Sequence, residues 1–139
     1  MTKIGMVTDS LGHLSFFQML DTAAVMGISG VEANACNWTS APHFQIATML
    51  KDPSARKTLQ VDVKAHNLDL IALNANGNKL HPTEGKKQSE DLYNTIRLAG
   101  KFGVKTVVLI HYRPKAELDG PCRTREDYQL ILKSEQDTA

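Results

Sequence analysis

Leu70-Ile71-Ala72-Leu73-Asn74-Ala75-Asn76-Gly77-Asn78-Lys79-Leu80-His81-Pro82 begins apolar and turns into three asparagines, a glycine and a His-Pro pair. Its first four residues read as a buried strand, and the remainder as the polar turn that leaves the strand's C-terminal end. Three other apolar runs read the same way: Ile4-Gly5-Met6-Val7, Gly30-Val31-Glu32-Ala33 and Thr106-Val107-Val108-Leu109-Ile110. The last is continuous and β-branched, as in a parallel strand covered on both faces.

Helical signals lie between these runs. Ser15 followed by Gln18 fits a capping box, and Phe16, Leu20, Ala23, Ala24 and Gly27 follow helical spacing, with Gly27 as the stop. A short helix is expected over residues 43–50. Asp52-Pro53 reads as an N-cap with proline at the first helical position, and Ala55, Leu59, Val63 and Ala65 give the next helix its apolar side, closed by Asn67. Leu92, Ile96, Ala99 and Phe102 share a face of the following helix, which Gly103 closes.

The order is βαβαβαβ, with strand starts near 4, 30, 69 and 106. That alternation is the mark of an α/β fold with a parallel sheet. An open doubly wound sheet suits the length of 139 residues, but the turn Thr8-Asp9-Ser10-Leu11-Gly12-His13 carries neither a dinucleotide fingerprint nor a P-loop. A (β/α)8 barrel typically takes about 250 residues. Residues 1–110 would supply its first four strands, and residues 111–139 form an atypical charged tail, helical in part around Tyr128, Leu130, Ile131 and Leu132.

Composition excludes several classes. With 16 basic and 15 acidic side chains the net charge is +1, which gives no footprint for nucleic acid or an anionic membrane. No apolar run approaches the roughly 18 residues of a membrane span. Two cysteines without metal-type spacing and an N-terminus without a secretory pattern point to a reducing, cytoplasmic setting.

Ligands of parallel α/β proteins bind at the C-terminal ends of the strands. Those ends carry Asp9 and Ser10, Glu32 and Asn34, the segment from Asn74 to His81, and His111. Amides both donate and accept, so Asn74, Asn76 and Asn78 suit polyol recognition; the ordinary alternative is an Asn-built turn. Glu32 in an apolar strand needs a partner, a metal or a polar cavity, and could equally reach solvent at the strand end. His111 is placed to carry a proton or bind a metal. Trp38 could wall a sugar ring or fill the core, and Asp9 could orient a base or cap a turn. His13, His43 and His66 look like loop or helix-surface residues.

The segment from Leu70 to Pro82 resembles the "SALNCHGNPLHP" stretch of sugar phosphate isomerase/epimerase proteins, within the xylose isomerase-like TIM-barrel superfamily. Gly30-Val31-Glu32 resembles the family's second strand, Asp52-Pro53-Ser54-Ala55-Arg56 its "DPAAR" helix start, Asp91-Leu92-Tyr93-Asn94-Thr95-Ile96-Arg97-Leu98-Ala99 its "DLRRTIRLA" helix, and Gly103-Val104-Lys105-Thr106-Val107-Val108 its "GVDTVV" strand. The resemblance covers residues 3–110, the first half of such a barrel.

The resemblance implies a metal-assisted sugar or sugar-phosphate isomerase or epimerase. Glu32 and His111 would be catalytic, and Asn74, Asn76, Asn78, His81 and Trp38 would bind substrate. A divalent metal would hold the substrate oxygens. The family's "CHGN" histidine falls on Asn76, which cannot shuttle a proton, whereas His81 matches the later "HP" histidine. The strands that carry most metal ligands in the family lie beyond this sequence. The chain is therefore expected to be truncated, inactive alone and unable to hold the metal fully, or to assemble as a homo-oligomer through exposed sheet edges. A non-catalytic α/β binding module is the alternative. The superfamily's endonuclease-like branch is disfavoured by the even charge.

Overall fold

The computed structural model describes residues 3–37, 40–79 and 81–109. Four parallel strands, β1 (Gly5–Val7), β2 (Gly30–Cys36), β3 (Asp69–Ala75) and β4 (Val107–Val108), lie in the order β1-β2-β3-β4. A 3-10 turn, Thr8–Leu11, follows β1. The helices are α1 (Phe16–Val25), α2 (Ile46–Lys51), α3 (Pro53–Ala65) and α4 (Gly85–Phe102). The charged tail of residues 111–139 lies outside the described residues.

The local signals that start and stop the helices act as expected. Ser15 and Gln18 form the reciprocal capping box: the Gln18 amide donates to Ser15 Oγ at 3.4 Å, and the Ser15 amide to Gln18 Oε1 at 3.1 Å. Asp52 caps α3 by accepting from the Ser54 amide at 2.7 Å, with Pro53 in the first turn. Gly103 ends α4 at φ 70°, a left-handed position where a Cβ would be strained.

Between sheet and helices lies one apolar layer. Met19, Leu20 and Ala23 of α1, Val31, Ala33 and Ala35 of β2, Leu59 and Val63 of α3, and Leu92, Leu98, Ala99 and Phe102 of α4 meet there. The Phe44 and Phe102 rings meet at a tilt of 42°, with 5.8 Å between centres. Three residues expected on buried helix faces are exposed instead: Ala24, Ala65 and Ile96. Met19 and Thr95 take the buried places. Thr95 can be buried because its hydroxyl bonds the Asp91 carbonyl at 2.8 Å. The helix expected over 43–50 begins only at Ile46, and His43 is buried rather than on a surface, its Nε2 donating to the Leu14 carbonyl at 2.8 Å. β4 is shorter than expected and half-buried, with β3 its one neighbour among the described residues.

A β-bulge decides which side chains leave the core. Val31 pairs with Leu70 and Glu32 with Ala72, so Ile71 is the extra residue on β3. Leu70 packs on the core before the bulge, and Leu73 and Ala75 pack on it afterwards. Strict alternation from Leu70 would have sent Asn74 into the apolar layer. The bulge shifts the phase and sends Asn74 and Asn76 to the open face, on the side of Gly30, Glu32 and Asn34.

Ile71 itself crosses that open face. Gly5 and Gly30 are register partners on β1 and β2, and their missing side chains make its seat. A Cβ on Gly5 would stand 2.5 Å from Ile71 Cδ1; one on Gly30 would stand 2.6 Å from Ile71 Cγ2 and 3.0 Å from the Asp69 carbonyl oxygen. Gly30→Ala must therefore displace backbone as well as Ile71. Urea denaturation should show Gly30→Ala destabilising the chain by about 1–3 kcal/mol, and Gly5→Ala by less, since only the flexible tip of Ile71 must move. Equal stability of Gly30→Ala and the parent would contradict the seat.

Candidate active site at the strand ends

The open face becomes polar toward the C-terminal ends of β1, β2 and β3. β1 delivers Thr8 and Asp9, β2 delivers Glu32 and Asn34, and β3 delivers Asn74 and Asn76. Two side-chain hydrogen bonds tie these elements together. Asn74 Nδ2 donates to Glu32 Oε1 at 2.5 Å, from β3 to β2. Asn34 Nδ2 donates to Asp9 Oδ2 at 2.7 Å, from β2 to the turn after β1. The Asn34 amide also donates to Thr8 Oγ1 at 3.2 Å.

Glu32 thus has the partner that a carboxylate in an apolar strand requires. Asn74 fixes one of its carboxylate oxygens. Asn74 and Asn76 are each only 6% exposed. Their carbonyl oxygens are shut from solvent and have no hydrogen-bond partner among the described residues. A buried acceptor left in that state costs about 1–3 kcal/mol, so the fold holds these oxygens at a loss.

The segment beyond β3 is braced from α4. Gly77 sits at φ 151°, and a Cβ there would come within 2.9 Å of Gln88 Oε1 and 3.1 Å of Asn37 Nδ2. Gln88 Oε1 accepts from the Asn78 amide. His81 is exposed and turned to its own loop. Its Nδ1 accepts from the Thr83 amide at 3.4 Å, the Thr83 hydroxyl at 3.2 Å and the Glu84 amide at 3.2 Å, just ahead of α4. The structure therefore joins Glu32, Asn74 and Asn76 on one face, and gives His81 a turn-organising contact. Trp38 and His111 lie outside the described residues.

The pair Asp9–Asn34 is the part of the site that sequence reasoning undervalued. Asp9 was expected to cap a turn, yet its carboxylate reaches across to Asn34. The strand-end rule that picked out Glu32 picks out both residues, and only their side-chain contact was hidden. Gln88 carried no signal at all, since a glutamine in the first turns of a helix is ordinary.

The site's chemistry is that of oxygen and amide groups. Glu32 with the amide oxygens of Asn74 and Asn76 is a set that hard cations accept. One carboxylate does not neutralise a divalent ion, however, and among the described residues no three His, Cys, Asp or Glu side chains come together as a metal site. These residues do not fit a metal by themselves; a bound ion would need ligands beyond them. No helix among the described residues is long and apolar enough to cross a membrane.

The comparisons with known proteins bear on the fold. No family model matches the chain. The chain is 40% identical over 113 residues to the uncharacterized protein YfiH of Bacillus subtilis (strain 168), covering 81% of this chain and 36% of that protein. It spans little more than a third of that relative's length. Among solved structures it superposes with a TM-score of 0.59 on the probable 3-DHS dehydratase AsbF, involved in petrobactin synthesis, from Bacillus anthracis. That match is 15% identical and covers 96% of this chain and 46% of the other. A weaker likeness, TM-score 0.49 at 13% identity, joins 81% of this chain to 17% of a xylose isomerase-like TIM barrel/4-hydroxyphenylpyruvate dioxygenase fusion protein. The fold is that of half a TIM barrel.

Cys36, at the end of β2, lies behind this face. Burial pushes its thiol above the ordinary range, against the opposing pull of the Thr95 hydroxyl 3.7 Å away. Iodoacetamide at pH 8 should spare Cys36 in the folded chain and label it in urea, as read by peptide mass mapping. The unfolded thiol ionises first, at about 8.5, so the stability associated with Cys36 is full below that pH and lost as pH rises. Cys36→Ala should flatten this alkaline decline; an unchanged slope would show that the decline comes from other groups.

Proposed function

We propose that these βα units form half of the active site of an isomerase or epimerase acting on a sugar or sugar phosphate. Glu32 is the proton carrier. The observation that supports this most is its carboxylate, held on the open strand end by Asn74 at 2.5 Å. Glu32 takes a proton from the carbon beside a carbonyl, and the electron pair moves onto the carbonyl oxygen. Returning the proton to the former carbonyl carbon, while the hydroxyl proton of the adjacent carbon passes to the former carbonyl oxygen, gives isomerisation; returning a proton to the opposite face of the same carbon gives epimerisation. Such positioned proton transfer contributes typically 10²–10⁴-fold.

In this reading Asn74 keeps Glu32 oriented, Asn76 and Asn78 bind substrate oxygens, and His81, its Nδ1 engaged in its own loop, does so through Nε2. Trp38 walls the sugar ring, and His111, at the end of the run that contains β4, carries the second proton. The likeness to AsbF supports the barrel architecture, in which strand C-terminal ends bear the chemistry.

Half a barrel leaves strand edges to be paired. β1 and β4 are the outer strands of the described sheet. We propose that they are completed either by a second copy of this chain or by further βα units, and that turnover needs this completion. Size-exclusion fractions assayed for activity should then place turnover with the assembled species; an active 139-residue monomer would contradict the requirement.

The proton step is tested by incubating the assembled protein with a panel of aldoses, ketoses and their phosphates in D2O. Deuterium should appear at the carbon beside the carbonyl, and Glu32→Gln should slow this by about 10²–10⁴-fold. Binding without exchange would instead identify a non-catalytic sugar-binding module. Exchange that survives Glu32→Gln undiminished would remove Glu32 from the reaction.

A further inference from the structure

We infer that Asn76 is a catalytic residue of this proton transfer: its Nδ2 donates to the substrate's carbonyl oxygen and holds the negative charge that arrives there when Glu32 takes the proton. This deepens the isomerase reading above and rests on it. Asn76 is only 6% exposed. Its Oδ1 is sealed from solvent and unpartnered, whereas its Nδ2 is not among the sealed atoms of the described residues. No described residue accepts a hydrogen bond from that nitrogen. Turning the amide over would seal two N–H donors in place of one oxygen, and each buried donor without a partner carries its own desolvation cost. The oxygen-inward arrangement is the cheaper one, and it leaves the N–H end for a ligand.

Asn76 directly follows β3, two residues beyond Asn74, with Ala75 between them in the apolar layer, so both amides belong to the open face. The two divide the work. Asn74 donates to Glu32 Oε1 at 2.5 Å and stabilises the carboxylate while it is charged. When the proton arrives on Glu32, the charge leaves it and reappears on the carbonyl oxygen. A donor is then needed at that oxygen and no longer at the carboxylate. Residues two apart along an extended chain are separated by about 6.5 Å, and Asn74 ties Glu32 to the nearer end of that span. A carbonyl group and its adjacent carbon fit between the two, with the carbon about 3–3.5 Å from the base and the oxygen about 2.9 Å from the donor.

Asn76→Leu separates this role from a structural one. Leucine has nearly the same shape, carries no donor and removes the sealed oxygen. The urea midpoint of Asn76→Leu should therefore equal or exceed the parent's. Deuterium exchange in the assembled protein, measured with the sugar that exchanges fastest in the parent, should nevertheless fall by about 10²–10³-fold in kcat. The carbonyl gives a second readout that does not depend on turnover. Dihydroxyacetone labelled with 13C at its carbonyl should show, in difference infrared spectra, a C=O stretch at lower wavenumber when bound to the parent than when free in solution. Asn76→Leu should lose that shift.

Exchange in folded Asn76→Leu within about threefold of the parent's would overturn the inference. So would a bound carbonyl that absorbs where the free one does, whatever the stability of Asn76→Leu. Failure of the proton-carrier reading looks different. No sugar would exchange deuterium in the parent, while the bound carbonyl would still shift and Asn76→Leu would still abolish the shift.

Discussion

A single extra residue in β3 determines which side chains this sheet presents to a ligand. Without the bulge at Ile71, the phase set by Leu70 would carry Asn74 toward the helices and away from Glu32. With it, Leu70, Leu73 and Ala75 all reach the apolar layer, and Asn74 and Asn76 reach the opposite face. The bulge is compatible with the sheet because Gly5 and Gly30 leave room for Ile71 to lie across two strands. Packing at the base of the face and polarity at its rim are thus parts of one arrangement.

The rim is built from paired elements rather than isolated residues. Glu32–Asn74 joins β2 to β3, and Asp9–Asn34 joins β1 to β2. The first gives Glu32 the partner that a carboxylate in an apolar strand requires, and the second ties the turn after β1 to β2. Behind the rim, Gln88 of α4 holds the Asn78 amide, and Thr95 of the same helix lies against Cys36. Helix α4 therefore supports both the backbone beyond β3 and the end of β2. Such support from a rigid element fixes polar groups more firmly than a loop alone would.

Much of the fold was legible in the sequence, for definite reasons. Strand starts expected near 4, 30, 69 and 106 fall at 5, 30, 69 and 107, because short apolar runs bounded by turn residues have few other uses. Ser15, Asp52 and Gly103 acted as helix signals because capping is local chemistry. The faces of the helices were less legible. Ile96 and Ala24 looked buried by spacing, but the direction of the sheet selects the face, and Thr95 entered the core through a hydrogen bond that no hydropathy pattern shows. The bulge was not legible either: Leu70 to Asn76 can be read in two phases, and the choice depends on glycines 40 and more residues away. Among site residues, Glu32, Asn74 and Asn76 were brought to one face as strand-end residues should be. The capping contact of His81 arose from its own loop, which residue type alone did not reveal.

The contact that follows most directly from the bulge is Glu32 with Asn74, so a double-mutant cycle on that pair tests the central claim. Glu32→Ala, Asn74→Ala and the double variant would be compared with the parent by urea denaturation. A bulged β3 predicts a favourable coupling of about 1.5–3 kcal/mol, the range for a hydrogen bond to a charged group. Effects that simply add, to within about 0.5 kcal/mol, would mean that the two side chains do not meet and that β3 runs in the other phase.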